Sequence, residues 1–232
     1  MRLDVYLTTK YPEYTRSKLS DLIKRGFVTV NGNQIIKPGF IVDSSMDIKL
    51  TKKDIFVSRA GEKLDDALDL FNLSVTNFTV IDVGASTGGF TQSVLSRGAN
   101  HVYAYDVGKN QLDEKLKEDK RVTSFEETNI LDVNVPSNDL IVIDVSFTSV
   151  LPILTHLSTQ TSQIIFLLKP QFEGEIKHLK KGILKSEKII NQIIENTTKH
   201  INYLNYKIKG FTKSIIKGKE GNQEYIFYIT KG

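Results

Sequence analysis

The residues most able to do chemistry lie at a cluster of small side chains. Gly84-Ala85-Ser86-Thr87-Gly88-Gly89 follows the apolar run Val80-Ile81-Asp82-Val83 and precedes Phe90-Thr91, so strand, tight turn and helix come in that order. Glycines there let the backbone turn sharply and approach a ligand, and the helix that follows offers unpaired N–H groups. Asp106 falls about twenty residues later, at the end of a second strand-like run, where a carboxylate can accept both hydroxyls of a ribose. Four readings are open. The first is a nucleotide-type cofactor site. The second is a nicotinamide site, which G-x-S-x-G-G fits less well than G-x-G-x-x-G. The third is a hydrolase elbow, since Gly84-x-Ser86-x-Gly88 matches G-x-S-x-G. The fourth is a purely structural turn. A hydrolase would need a histidine downstream. His156, His178 and His200 are available, but none stands in a glycine-rich or acid-paired context, and the turn follows the first strand of its sheet rather than several. The chain has no cysteine, which removes thiolate nucleophiles, disulfides and thiolate metal sites.

The elements that must position these residues alternate. Strands are predicted over 78–83, 101–105, 122–125, 140–145 and 164–168, with helices over 90–97, 111–117 and 186–200 and closing strands over 203–212 and 225–230. Alternation of this kind makes an α/β fold, a doubly wound Rossmann-like sheet with helices on both faces. A small α+β unit precedes it. Leu3, Tyr6 and Leu7 have helical spacing, Thr15 can cap a second helix bearing Leu19, Leu22 and Ile23, and Asn31-Gly32 is a hairpin turn between strands at 27–30 and 34–36. A last strand near 47–50 closes this unit. The division predicted is 1–53 and 54–232, with Lys52-Lys53-Asp54 as linker.

The formal net charge is only +4, but residues 1–53 carry +5, 54–159 carry −8 and 160–219 carry +8. Two basic segments flanking an acidic one suit either solvated lysine-rich faces or contact with a polyanion. No apolar run reaches the roughly 18–20 residues of a membrane helix, and the N-terminus lacks a signal-peptide pattern, so a cytoplasmic protein is expected.

Two resemblances sharpen these readings. Arg2-Leu3-Asp4, Arg16-Ser17-Lys18-Leu19, Leu22-Ile23-Lys24-Arg25-Gly26 and Val28-Thr29-Val30-Asn31-Gly32 resemble the S4-like RNA-binding domain shared by a small-subunit ribosomal protein and some pseudouridine synthases. That resemblance implies that Arg2, Arg16, Lys18, Lys24 and Arg25 meet an RNA backbone. Asp82 to Thr91 resembles the cofactor loop of FtsJ-like 2′-O-methyltransferases, in particular the TlyA family. Five further blocks match in order: Ser58 to Leu64, Asp106-Val107-Gly108 with Gln111-Leu112, Asp144-Val145-Ser146-Phe147, Leu168-Lys169-Pro170-Gln171-Phe172-Glu173, and Gly221 to Tyr225. Gln92 stands where the family often has an acid.

What the family resemblance implies is S-adenosyl-L-methionine as cofactor and a catalytic tetrad of Lys63, Asp144, Lys169 and Glu224. Asp82, Gly84, Ser86, Gly88, Gly89 and Phe90 would line the cofactor's methionine end, Asp106 its ribose, and Asn129 the region of its adenine. No metal is implied. The acceptor would be a cytidine ribose in ribosomal RNA, 23S and for some members 16S, presented free or in an assembled subunit. Independently of the family, methylation at carbon 5 of a pyrimidine needs a cysteine that is absent, and Asp144-Val145-Ser146-Phe147 lacks the proline pair usual for exocyclic amines. Lys177 to Gly182, with Lys180 and Lys181, is expected to be a mobile loop that meets RNA phosphates. Two other functions are carried beside this one: a non-catalytic RNA-binding assembly factor, and the membrane lysin suggested by the family's haemolysin label. The lysin would need an apolar span, a strongly amphipathic cationic helix or a barrel pattern, and none is found.

Overall fold

The structure is a computed structural model that describes residues 1–51, 56–161, 163–218 and 220–232. The expected linker Lys52-Lys53-Asp54 lies outside them. The chain divides into two compact units, Met1–Ile55 and Phe56–Gly232.

In the first unit α1 (Leu3–Lys10) and α2 (Arg16–Lys24) pack on a small antiparallel sheet of order β2-β1-β3, with β1 Val28–Val30, β2 Asn33–Gln34 and β3 Ile48–Leu50. Thr15 caps α2 by accepting from the Lys18 N–H. Asn31 and Gly32 both have positive φ, 51° and 80°, as a two-residue hairpin turn requires. Leu3, Leu7, Leu19, Leu22, Ile23, Val28 and Ile48 form the core. The second hairpin strand stops at Gln34, short of the predicted 36, and Ile36 is exposed.

The second unit is built on a seven-stranded sheet of order β11-β12-β8-β7-β4-β5-β6. Its strands are β4 Thr79–Val83, β5 His101–Tyr105, β6 Val122–Phe125, β7 Leu140–Ile143, β8 Gln163–Leu168, β11 Tyr206–Lys213 and β12 Tyr225–Lys231. β4 to β8 are mutually parallel, whereas β12 runs antiparallel to β8 and β11 antiparallel to β12. Helices α3 (Arg59–Leu70), α4 (Gly89–Ser96) and α5 (Glu114–Lys117) cover one face, where Leu64, Leu68, Val94 and Leu116 meet Val80, Val142 and Ile165. On the other face α6 (Leu151–Leu157) and α8 (Glu187–Tyr203) bring Leu154, Leu157, Ile190 and Ile201 onto Ile81, Ile141, Ile164 and Phe166. Odd and even strand positions thus feed separate cores, as a sheet buried on both faces requires.

Several predicted bounds are corrected. α8 continues to Tyr203, so the strand expected from 203 begins only at Tyr206, after Asn205 turns at φ 59°. The helix expected over 111–117 is only Glu114–Lys117. The Glu126 carboxylate accepts from the backbone N–H groups of Asn110, Gln111 and Leu112 and holds that stretch as a loop. β7 ends at Ile143 rather than 145, since the chain turns at Phe147 with φ 63°. The segment 177–182 is no loose loop. Leu179–Lys180 (β9) and Ile183–Leu184 (β10) pair antiparallel across Lys181-Gly182, both at positive φ.

Candidate active site

Strand order reverses at β4, whose neighbours β5 and β7 lie on opposite sides, so a crevice opens at the carboxyl ends of β4 and β7. The glycine turn sits there. Gly88 caps α4 at φ 91°, a left-handed conformation, and a Cβ on it would come within 2.3 Å of Leu116 and 2.7 Å of Leu112. Gly89 and Gly61 bring α4 and α3 into contact. A Cβ on Gly89 would lie 2.7 Å from the Gly61 N, and one on Gly61 would lie 2.8 Å from the Gly89 O. That crossing fixes Lys63, two residues further along α3.

Beneath the turn Asp82 is fully buried, with Oδ2 accepting from the Thr91 N–H at 2.9 Å and the Thr91 hydroxyl at 2.7 Å. Burial pushes its carboxyl up to about 7, with Asp144 adding to the rise against the Thr91 hydrogen bonds. Asp82 therefore braces the start of α4 from below. Gln92 donates no charge here, yet its Oε1 accepts from the Val57 N–H at 2.6 Å, a role that an acidic side chain would also fill.

Two buried ion pairs stand in the crevice. Lys63 Nζ lies 2.5 Å from Glu224 Oε2, and Lys169 Nζ lies 2.7 Å from Asp144 Oδ1. Lys169 also donates to Ser146 Oγ at 2.8 Å. The four come from α3, the end of β7, the end of β8 and the start of β12, elements far apart in the chain. Lys63, Lys169 and Glu224 are each under 9% exposed, which for lysine requires a partner. All four wall one cleft of about 980 Å³, together with Gly84, Ala85, Ser86 and Phe90 from the glycine turn. The Phe147 ring in its wall is 91% exposed and lies 5.1 Å from that of Phe172.

An FtsJ-like methyltransferase family model matches residues 56–231, and an S4 domain model matches residues 1–48. The chain is 40% identical to a protein named Hemolysin A from Brachyspira hyodysenteriae over 99% of both chains. It is 34% identical over the full length of both to a protein from Campylobacter jejuni named 23S rRNA (cytidine-2′-O)-methyltransferase TlyA. The chain belongs to the TlyA family. A solved structure from Streptococcus thermophilus, titled as a hemolysin, superposes with TM-score 0.75 at 37% identity, covering 100% of this chain and 88% of that one.

In this TlyA-family chain the remaining predicted residues fall beside the cleft or on the other unit. Asp106, at the end of β5, accepts from the Ser86 N–H at 2.7 Å through Oδ2 and from the Gly108 N–H at 2.7 Å through Oδ1. Each oxygen keeps a second lone pair for a hydroxyl. Asn129 is exposed and caps a 3₁₀ turn over Ile130–Asp132. Val107, inside the Asp106-Val107-Gly108 block, and Leu131, which no sequence pattern had marked, are exposed apolar side chains adjacent to these two regions.

In the N-terminal unit the buried Asp4 carboxylate receives Arg2 Nε at 3.0 Å and Arg16 Nη2 at 2.9 Å, so two guanidiniums are held side by side and half exposed. The Arg2 hydrogen bond foremost holds Asp4 below the usual carboxylate range. Lys24 is exposed, and Arg25 lies 3.6 Å from Asp21 and over the Phe27 ring. Lys18 is half-buried in the first turn of α2. Lys180 and Lys181 are exposed on the β9–β10 hairpin.

The hairpin's anchor lies in the Gly221 to Tyr225 block, but its anchoring role was not foreseen in the sequence. Asn222 is buried, accepts from the Leu184 N–H and donates to the Gly182 O, both at 2.9 Å, two residues from Glu224. Among the described residues no helix is long and apolar enough to cross a membrane, and no group of three or more potential metal ligands is found.

Proposed function

We propose that this protein transfers a methyl group from S-adenosylmethionine to the ribose 2′-oxygen of a cytidine in 23S ribosomal RNA, in the cytoplasm. The observation that carries this reading is the pair of buried lysine–carboxylate bridges in one cleft beside the glycine turn. A cleft of about 980 Å³ is at the upper end for a single ligand, and suits a nucleoside cofactor with part of a nucleotide.

S-adenosylmethionine supplies a methyl already activated on a sulfonium. The protein's task is therefore to place an oxygen about 3–3.5 Å from that carbon and in line with it. Gly84, Ser86, Gly88, Gly89 and Phe90 would hold the cofactor's methionine end over Asp82. Asp106 would take its ribose, and Val107, Asn129 and Leu131 the surroundings of its adenine. Lys169, paired in charge with Asp144 and already donating to Ser146, has further N–H groups with which to orient the 2′-oxygen. Lys63 and Glu224 close the other side. Phe147 offers an exposed face on which a base can stack. Arg2, Arg16, Lys18, Lys24 and Arg25 on the first unit, and Lys180 and Lys181 on the hairpin, would contact RNA phosphates.

The test uses ribosomal subunits from cells lacking the protein. Labelled methyl should pass to the large subunit, and mapping should place it on a cytidine 2′-oxygen. Subunit binding with no transfer would instead favour a non-catalytic assembly factor. Lys169→Ala should lower transfer on the order of a hundredfold or more.

A further inference from the structure

Gln171 follows Lys169 by two residues, in the short helix α7 (Pro170–Glu173), and walls the same cleft as Phe147 and Ser146. Its carbonyl oxygen Oε1 is buried with no donor, and among the described residues neither end of its amide makes a hydrogen bond. Buried polar atoms are nearly always paired. Asp144 Oδ1 in the same cleft also lacks a hydrogen-bond donor but has the Lys169 ammonium beside it, and Glu173 is met by Ser149 and the Val150 N–H, so Gln171 Oε1 stands with neither donor nor counter-charge. The unpaired amide therefore lacks something that arrives with a ligand.

We infer that Gln171 reads the base of the nucleotide being methylated, its Oε1 accepting from an exocyclic amine. This rests on the methyl-transfer reading above and adds how the acceptor base is chosen. A base stacked on Phe147 turns its edge toward the cleft wall. Cytosine presents there an amine donor beside a ring-nitrogen acceptor, the complement of an amide's C=O and N–H. Uracil presents a carbonyl where cytosine has the amine and would set it against Oε1. To complement uracil the amide would need a half-turn that puts Nε2 where Oε1 is now buried.

The experiment compares subunits, purified from cells lacking the protein, that carry either the natural cytidine or a uridine at the mapped position. Single-turnover transfer by the wild-type protein should favour cytidine by tenfold or more. Gln171→Met, close in size but without the amide, should slow transfer to cytidine about tenfold and bring the two rates within about twofold. Its affinity for S-adenosylmethionine by calorimetry should stay at the wild-type value. Wild-type transfer to the cytidine subunit tests the underlying reading separately. The inference about Gln171 is overturned by a wild-type preference near one, by a preference that survives in Gln171→Met, or by a parallel loss of cofactor affinity. That last outcome would give the amide to the cofactor.

Discussion

Buried charge decides how single residues behave here. Lys63 and Glu224 are both almost wholly out of solvent, so removing one leaves the other without a counter-charge. Lys63→Met should cost about 3–5 kcal/mol of stability, and Lys63→Met with Glu224→Gln should recover most of it, since a buried pair replaced together is often neutral. Urea unfolding measures this, while methyl transfer should remain lost in both variants. If the double variant is no more stable than the single one, the bridge is not what stabilises that corner.

Asp82 gives a pH signature of the opposite kind. Its carboxyl is raised to about 7 in the folded protein, mainly by burial, so the folded state holds that proton more tightly than the unfolded chain does. That contribution is fully present below pH 4 and is lost as pH rises through 7. Asp82→Asn keeps an acceptor for Thr91 and has no proton to lose. The stability of the wild type relative to Asp82→Asn should fall between pH 4 and 7.5. A difference that stays flat across that range would mean that the carboxyl titrates as an exposed one.

At the scale of elements, the glycine turn is a joint between parts of the second unit. Gly88→Ala would force a side chain into φ 91° and into Leu112 and Leu116, whose own loop is held by Glu126. It should destabilise the unit by about 1–3 kcal/mol and weaken cofactor binding. Calorimetry with S-adenosylmethionine checks the second effect, and unchanged affinity would separate the turn from the site.

The strands and the turn were legible because a sheet buried on both faces writes itself as short apolar runs. Helix α3 was legible too, since Leu64, Ala67 and Leu68 fall at helical spacing, yet only its block Ser58 to Leu64 was marked. The β9–β10 hairpin was unreadable. Its strands are two residues each, and what holds them is Asn222, about forty residues away, so no local pattern could announce it. Lys63, Asp144, Lys169 and Glu224 were singled out by block resemblance, and the fold brings them to one cleft. Their division into Lys63–Glu224 and Lys169–Asp144 pairs depends on how four distant elements meet, and spacing along the chain carries no trace of that.

The whole molecule joins a basic first unit to a methyltransferase-family unit whose first half is acidic. Arg2 and Arg16 are held in place by Asp4, so their ordering entropy is already met before any phosphate arrives. If these guanidiniums grip RNA, Arg2→Ala and Arg16→Ala should each weaken subunit binding. Each should also lower the slope of log affinity against log salt by about one, the signature of a lost phosphate contact. Asp4→Asn should weaken binding as well, through the geometry of both arginines, while removing no cation. Cofactor affinity and the stability of the second unit should be unaffected by all three. A salt slope that stays at the wild-type value in Arg2→Ala and Arg16→Ala would place the RNA contact elsewhere, with the exposed Lys180 and Lys181 on the hairpin as the next positions to measure.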